Sequence, residues 1–149
     1  MAIARNAPYP GMNFVVDLGT GKSAMTESGV AEVVFPEARI QAPEYRNGND
    51  KVNFPRKSPT LTHYGNLVIR RGTIGSLEWF QWWKRTRDGD DAVQTVTVRL
   101  ISEDHEDTVL TWKFKQARPV MHTFAPLNAL GDGPLMETLE IAFDSLEME

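Results

Sequence analysis

Residues 95–115 read TVTVRLISEDHEDTVLTWKFK. Val96, Val98 and Leu100 alternate with Thr95, Thr97 and Arg99, and Leu110, Trp112 and Phe114 alternate with Thr111, Lys113 and Lys115. Successive strand residues point to opposite faces, so this period of two marks strands with one dry and one wet face. The polar run 103–107, EDHED, joins them. The stretch predicts an antiparallel hairpin whose apolar face must pack on something.

The period changes just upstream. In 76–87, SLEWFQWWKRTR, the residues Leu77, Trp79, Phe80, Trp82 and Trp83 cover one broad side of a helix, with Glu78, Gln81 and Arg85 on the other. Ser76 is the expected N-cap and Glu78 suits the positive end of the dipole. Lys84, Arg85 and Arg87 suit the negative end, and Asp88-Gly89 is the stop. Downstream, 117–124 reads as a separate extended piece, with Pro119 at an edge or bulge. Residues 128–134, NALGDGP, are a loop. Residues 135–148 read as one long strand, Leu135, Leu139, Ile141 and Phe143 on one side and Glu140 and Asp144 on the other.

Nearer the N-terminus, 12–18 and 30–35 are β-rich and predict a hairpin with a long connection across Gly19-Thr-Gly-Lys-Ser23. Residues 39–45 add a third extended piece and 66–71 a strand before Gly72. Residues 1–11, with Pro8 and Pro10, are expected to be flexible until something docks on them. The sum is about seven strands and one helix. The predicted fold is mainly β (α+β): an antiparallel β-barrel or sandwich with one flanking α-helix, 76–87, in a single domain over 1–149.

Residues 44–65, EYRNGNDKVNFPRKSPTLTHYG, do not fit that pattern. Pro55, Pro59, Gly48 and three Asn argue against a helix or a central strand. A loop of about twenty residues is uncommon in a compact domain and is usually functional. It reads as a long extended arm that leaves the body and needs a partner to order it.

A length of 149 residues is enough for one adequate core, and 41% hydrophobic with 24% charged residues is ordinary globular composition. With no Cys, disulfides and thiolate metal sites are excluded. No apolar run marks a signal peptide or approaches the ~20 residues of a spanning helix, so the chain is expected to fold in a cytoplasm. A net charge of −4 argues against specific nucleic-acid binding. The charge is uneven. Residues 51–87 hold Lys51, Arg56, Lys57, Arg70, Arg71, Lys84, Arg85 and Arg87 against Glu78 alone. Residues 137–149 hold Glu137, Glu140, Asp144, Glu147 and Glu149 with no cation. Two solvated faces explain this; so does head-to-tail contact between copies.

No reaction emerges. Gly19–Ser23 lacks the upstream Gly of a phosphate loop, that position being Val16, and reads as a turn. His63, His105 and His122 are not at ligand spacing and read as solvated or ordinary hydrogen-bonding residues. The acidic turn at 103–107 lacks the calcium-loop spacing. No catalytic, cofactor-binding or metal-binding residue is assigned.

At several stretches the chain resembles a known family, the tail tube proteins of contractile phages and the inner tube proteins of contractile injection systems. They are Glu44-Tyr-Arg-Asn-Gly-Asn-Asp50, Pro55-Arg-Lys-Ser-Pro-Thr-Leu61, Tyr64-Gly-Asn-Leu-Val-Ile-Arg-Arg-Gly72, Trp79-Phe-Gln-Trp-Trp83, Arg87-Asp-Gly89, Thr111-Trp-Lys-Phe114 and Glu137-Thr-Leu-Glu-Ile-Ala-Phe-Asp-Ser-Leu-Glu147. Their order covers almost the whole chain, and it is the ordered set that is specific. The resemblance implies a β-barrel-like fold shared with the ring protein of type VI secretion. It also implies homohexameric rings stacked into a hollow tube, with sheath, baseplate or hub and tape-measure partners, and cargo or phage DNA in transit. Carried over, Glu44, Tyr45, Arg46, Asn47, Gly48, Asn49, Asp50 and Lys51 with Arg56 and Lys57 become the ring-stacking arm, and residues 1–11 a further inter-ring contact. Thr95, Thr97 and Arg99 would face the lumen. Ser58 departs from the bulkier residue of a K-L-P-G-like run. Assembly is expected in a bacterial cytoplasm, with no membrane insertion. Two other readings stand beside it: a tube-initiating ring at the baseplate, and a small ligand-binding β-barrel beside the Trp helix.

Overall fold

A computed structural model describes residues 1–19 and 29–149. In chain order the described elements are β1 (Phe14–Asp17), β2 (Val30–Val34), β3 (Ala38–Ile40), β4 (Glu44–Tyr45), β5 (Arg56–Lys57), β6 (Thr62–Tyr64) and β7 (Leu67–Gly72). They continue with α1 (Glu78–Arg87), β8 (Gln94–Ile101), β9 (Thr108–Phe124), β10 (Met136–Ala142) and β11 (Ser145–Met148). The Gly19–Ser23 turn, apart from Gly19, lies outside the described residues.

The 95–115 hairpin forms as read: Val98 faces Trp112 and Val96 faces Phe114 across β8 and β9. β9 does not stop at Lys115, however. It runs 17 residues, bending at Gln116, whose φ is 56°, and absorbs the piece expected to be separate. Its first half pairs with β8 and β11, its second half with β10. The C-terminal strand is broken at 143–144 into β10 and β11, yet both lie along β9 in one register: Ala142 faces Arg118 and Ser145 faces Lys115. Opposite the pair Glu140 and Ile141 the register slips at Val120, a bulge beside Pro119. The result is a seven-stranded antiparallel sheet in the order β1-β8-β9-β10-β7-β2, with β11 on β9, folded into a sandwich-like body rather than a closed barrel.

The predicted pairing of the first two strands is wrong. β1 pairs with β8, setting Val16 against Val98, and β2 pairs with β7 at the other end of the sheet order. Each finds a strand whose apolar alternation matches its own. Among the described residues no strand pairs with the outer edge of β1 or β2.

The two halves share one core. Val16, Val96, Val98 and Phe114 come from one and Leu67, Ile69, Leu139 and Ile141 from the other, with Trp79 and Trp82 of α1 closing it. Each such side chain contributes about 1.5–3 kcal/mol when fully buried. The helix begins two residues later than expected. Leu77 stands at the N-cap without a side-chain bond, although the Glu78 N–H still reaches Ser76 Oγ at 3.4 Å. Only Trp79 and Trp82 are buried; Trp83 is half-buried, and Leu77 and Phe80 are exposed. Four large apolar residues on ten helical positions, with Leu77 just before them, exceed what one contact with β9 covers.

The N-terminal tail is held down rather than loose. The Ile3 N–H donates to Val109 O at 2.9 Å, Arg5 meets Glu103 at 2.7 Å, and the Arg5 guanidinium lies 3.8 Å over the Tyr9 ring. Through Glu103 the acidic turn at 103–107 serves this tail. His105 occupies the turn at φ 62°.

Candidate assembly surfaces

The arm is not an irregular loop. β3 pairs with β6 and β4 with β5, and together they prolong the β2–β7 pair in nearly continuous register: Val34 faces Val68, Ala38 faces Tyr64, Ile40 faces Thr62 and Glu44 faces Lys57. Between the short ladders, the Gln41 N–H donates to Leu61 O and the Thr60 N–H to Gln41 O, both at 2.7 Å. Residues 38–64 are therefore a two-stranded ribbon. Eight residues of strand at about 3.3 Å each carry its tip roughly 25 Å beyond the sheet. The prolines did not prevent this because a free ribbon has outer edges on both sides, where a missing N–H costs nothing.

The tip is built locally. The Asp50 N–H donates to Asn47 O at 3.1 Å and the Asn47 N–H to Asp50 Oδ2 at 3.1 Å. Arg46 Nε donates to Val52 O at 2.9 Å, and the Tyr45 hydroxyl bonds Asn47. Arg56 lies 3.6 Å from Asp50 and Lys57 3.8 Å from Glu44. Both pairs are long and their cations are exposed, so they contribute little to stability and exchange readily for a better partner. Glu44 to Asn49 and Lys51 are exposed and Asp50 is half-buried, so the structure gathers all ten expected arm residues on one ribbon.

Apart from Tyr45, the expected set missed the arm's apolar residues. Ile40, Tyr45, Val52, Phe54 and Leu61 are all exposed, Phe54 to 67%. A ribbon with no core beneath it that displays five large apolar side chains marks an interaction surface. The signal was present in the sequence, but the polar residues of the tip masked it.

A second apolar region lies at the other end of β7. There Ile74, Leu77, Phe124, Leu127 and Leu130 are exposed, the last two to 87% and 95%. The connections that carry all but Phe124, 73–77 and 125–135, are joined by Thr73 N–H to Leu135 O at 2.8 Å, and the second is tied to the sheet by Ala125 N–H to Met136 O at 2.9 Å.

Behind this end lies a buried ionic network that the sequence did not disclose. Arg71 and Glu137 face each other across β7 and β10, and Arg71 Nε donates to Glu137 Oε2 at 2.9 Å with both side chains nearly fully buried. The other Glu137 oxygen lies 2.6 Å from His122 Nε2 on β9. The Arg71 guanidinium sits 4.1 Å over the Trp79 ring, which ties α1 to the sheet. Glu137 thus leaves the acidic C-terminal face to which composition assigned it.

Thr95, Thr97 and Arg99 fall on the face of β8 opposite buried Val96 and Val98; Thr95 is exposed and the other two are half-buried. Their neighbours across the sheet are Asp17, Lys113, buried Thr111 and the apolar Val15, so the face is mainly polar and of mixed charge. Beside α1 an open cavity of about 430 Å³ is lined by Leu18, Trp79, Trp82 and Gln94, where Trp79 Nε1 and Gln94 Oε1 have no partner among the described residues. No described helix is long and apolar enough to cross a membrane.

Comparison with known proteins agrees with this geometry. Residues 10–147 match the family model of the T4-like virus tail tube protein gp19. A chain in the cryo-EM structure of the anti-feeding prophage (AFP) baseplate superposes with a TM-score of 0.83 at 20% identity, covering 97% of each chain. A chain in the sheath-tube complex of the extracellular contractile injection system PVC, in its extended state, does so at 0.83 and 21%, covering 97% of this chain and 93% of that one. Hcp1 from Flavobacterium johnsoniae gives 0.58 at 21%, covering 91% and 93%. No curated protein matches the chain.

Proposed function

This chain belongs to the T4-like virus tail tube protein family, and from that premise we propose how its surfaces build the tube of a contractile phage tail or contractile injection system. The chain is a structural subunit. Six copies close into a ring by joining sheet edges, with β1 and β2 supplying the edges that the single subunit leaves unpaired. The polar face bearing Thr95, Thr97 and Arg99 turns to the water-filled bore, where mixed charge lets cargo or phage DNA pass without being held. The ribbon with Glu44 to Lys51, Arg56 and Lys57 reaches the next ring. A sheath surrounds the tube, a baseplate starts it and a tape-measure protein sets its length. Assembly takes place in the bacterial cytoplasm, and the subunit catalyses no reaction.

The observation that carries the stacking role is the ribbon, which stands clear of the core and exposes Phe54, Val52 and Tyr45. The test is negative-stain electron microscopy of the purified chain over a concentration series, repeated with the sheath and baseplate proteins of its particle. Six-fold rings or hollow tubes are expected. Single subunits throughout, with and without those proteins, overturn the reading.

A further inference from the structure

The ribbon and the second apolar region lie at opposite ends of the same strands. β7 begins where the ribbon returns to the sheet and ends at Gly72, where the chain turns toward Ile74 and Leu77. β9 and β10 meet at that far end through the loop bearing Leu127 and Leu130. The two regions also differ in charge. Residues 38–64 hold Arg39, Arg46, Lys51, Arg56 and Lys57 against Glu44 and Asp50, whereas residues 72–80 and 123–136 hold Glu78 and Asp132 and no cation.

We infer that the surface formed by Ile74, Leu77, Phe124, Leu127 and Leu130 is the receptor for the ribbon of a second copy in the adjacent ring. The inference rests on the tube reading and names the partner surface that reading requires. Each region is apolar at its centre, so burying one against the other removes both from water. The surplus cations of one meet the carboxylates of the other, which sets the polarity of docking. The two patches differ and lie at opposite ends, so the contact is heterologous. One subunit's ribbon fills the next subunit's receptor and leaves its own receptor open, and the array extends without closing. Among the described residues nothing covers Leu127 or Leu130, although burying a leucine stabilises by about 1.5–3 kcal/mol.

Two experiments on the full-length chain test this. The first is the double variant Leu127→Asp/Leu130→Asp. Both residues lie on the surface, so its melting temperature should match the wild type. Rings should still form, but stacking should require at least about tenfold more protein, since two carboxylates would enter an apolar contact. The second places a photo-crosslinking amino acid at position 54, with the attached peptide mapped by mass spectrometry. Attachment within 72–80 or 123–136 of another copy is expected. Unchanged stacking of the double variant, or attachment elsewhere in a tube that does form, overturns the receptor and leaves the tube reading intact. If the wild type makes neither rings nor tubes, both fall together.

Discussion

Replacing Glu137 with alanine is the most informative single change to the body of the subunit. Glu137 and Arg71 are both nearly fully buried and 2.9 Å apart, and the second Glu137 oxygen holds His122 at 2.6 Å. Removing the carboxylate leaves the guanidinium buried with Trp79 and a long 3.5 Å bond to Ser76 O as its remaining contacts. An uncompensated buried charge of this kind costs about 3–5 kcal/mol. With a urea slope of about 2 kcal/mol/M, the unfolding midpoint should fall by about 1.5–2.5 M. Urea unfolding followed by tryptophan fluorescence reads this directly, because Trp79 lies against the affected group. The double variant Arg71→Met/Glu137→Leu should recover most of the loss, since apolar groups of similar volume replace an ion pair at little net cost. As a control, Lys57→Ala removes an exposed pair and should change stability by under about 1 kcal/mol. A loss below about 1 kcal/mol for Glu137→Ala, or a double variant less stable than the single one, refutes the reasoning.

Two further changes probe the helix and the tail. Trp82 Nε1 donates to Ala92 O at 2.6 Å whereas Trp79 Nε1 has no partner, so Trp82→Phe should destabilise more than Trp79→Phe, by about 1 kcal/mol in thermal or urea unfolding. Equal losses would sink this. The hydrogen bond from Arg5, and then its charge, hold the Glu103 carboxyl below the usual carboxylate range. A depressed carboxylate gives its tether above its unfolded pKa and loses it as pH falls through the folded one. Hydrogen exchange at the Ile3 amide should therefore be slowed at pH 7 and lose that protection below the ordinary carboxylate range, and Glu103→Gln should abolish it already at pH 7. An Ile3 amide indifferent to both disproves the tether.

The parts of the fold written in short-range periodicity were legible. The alternation of 95–115 gave β8 and the start of β9, and the clustered tryptophans gave α1. Long-range pairing was not legible. Nothing local distinguishes β1 pairing with β2 from β1 pairing with β8, because register follows from which apolar faces meet in three dimensions. The helix surface was over-assigned for a related reason. Period marks an apolar stripe but not its use, and Leu77 and Phe80 stayed outside the core. The arm was found as a departure from pattern, but its polar tip hid the ribbon and its apolar display. Glu137 and Arg71 were invisible as a pair, since they are neighbours only across two strands.

The pairing of β1 with β8 has a consequence for the timing of synthesis. Phe14 of β1 must wait for Leu100 of β8, roughly 86 positions later, and the core is completed only by Leu139 and Ile141 near the C-terminus. At about 5–20 residues per second the first strand remains without its mate for roughly 4–17 s as the chain emerges from the ribosome. A nascent or prematurely stopped chain therefore has the ribbon's residues but no body to hold them. A copy's ribbon is mounted on a closed core only after Ile141 has been made, which places folding of the body ahead of docking.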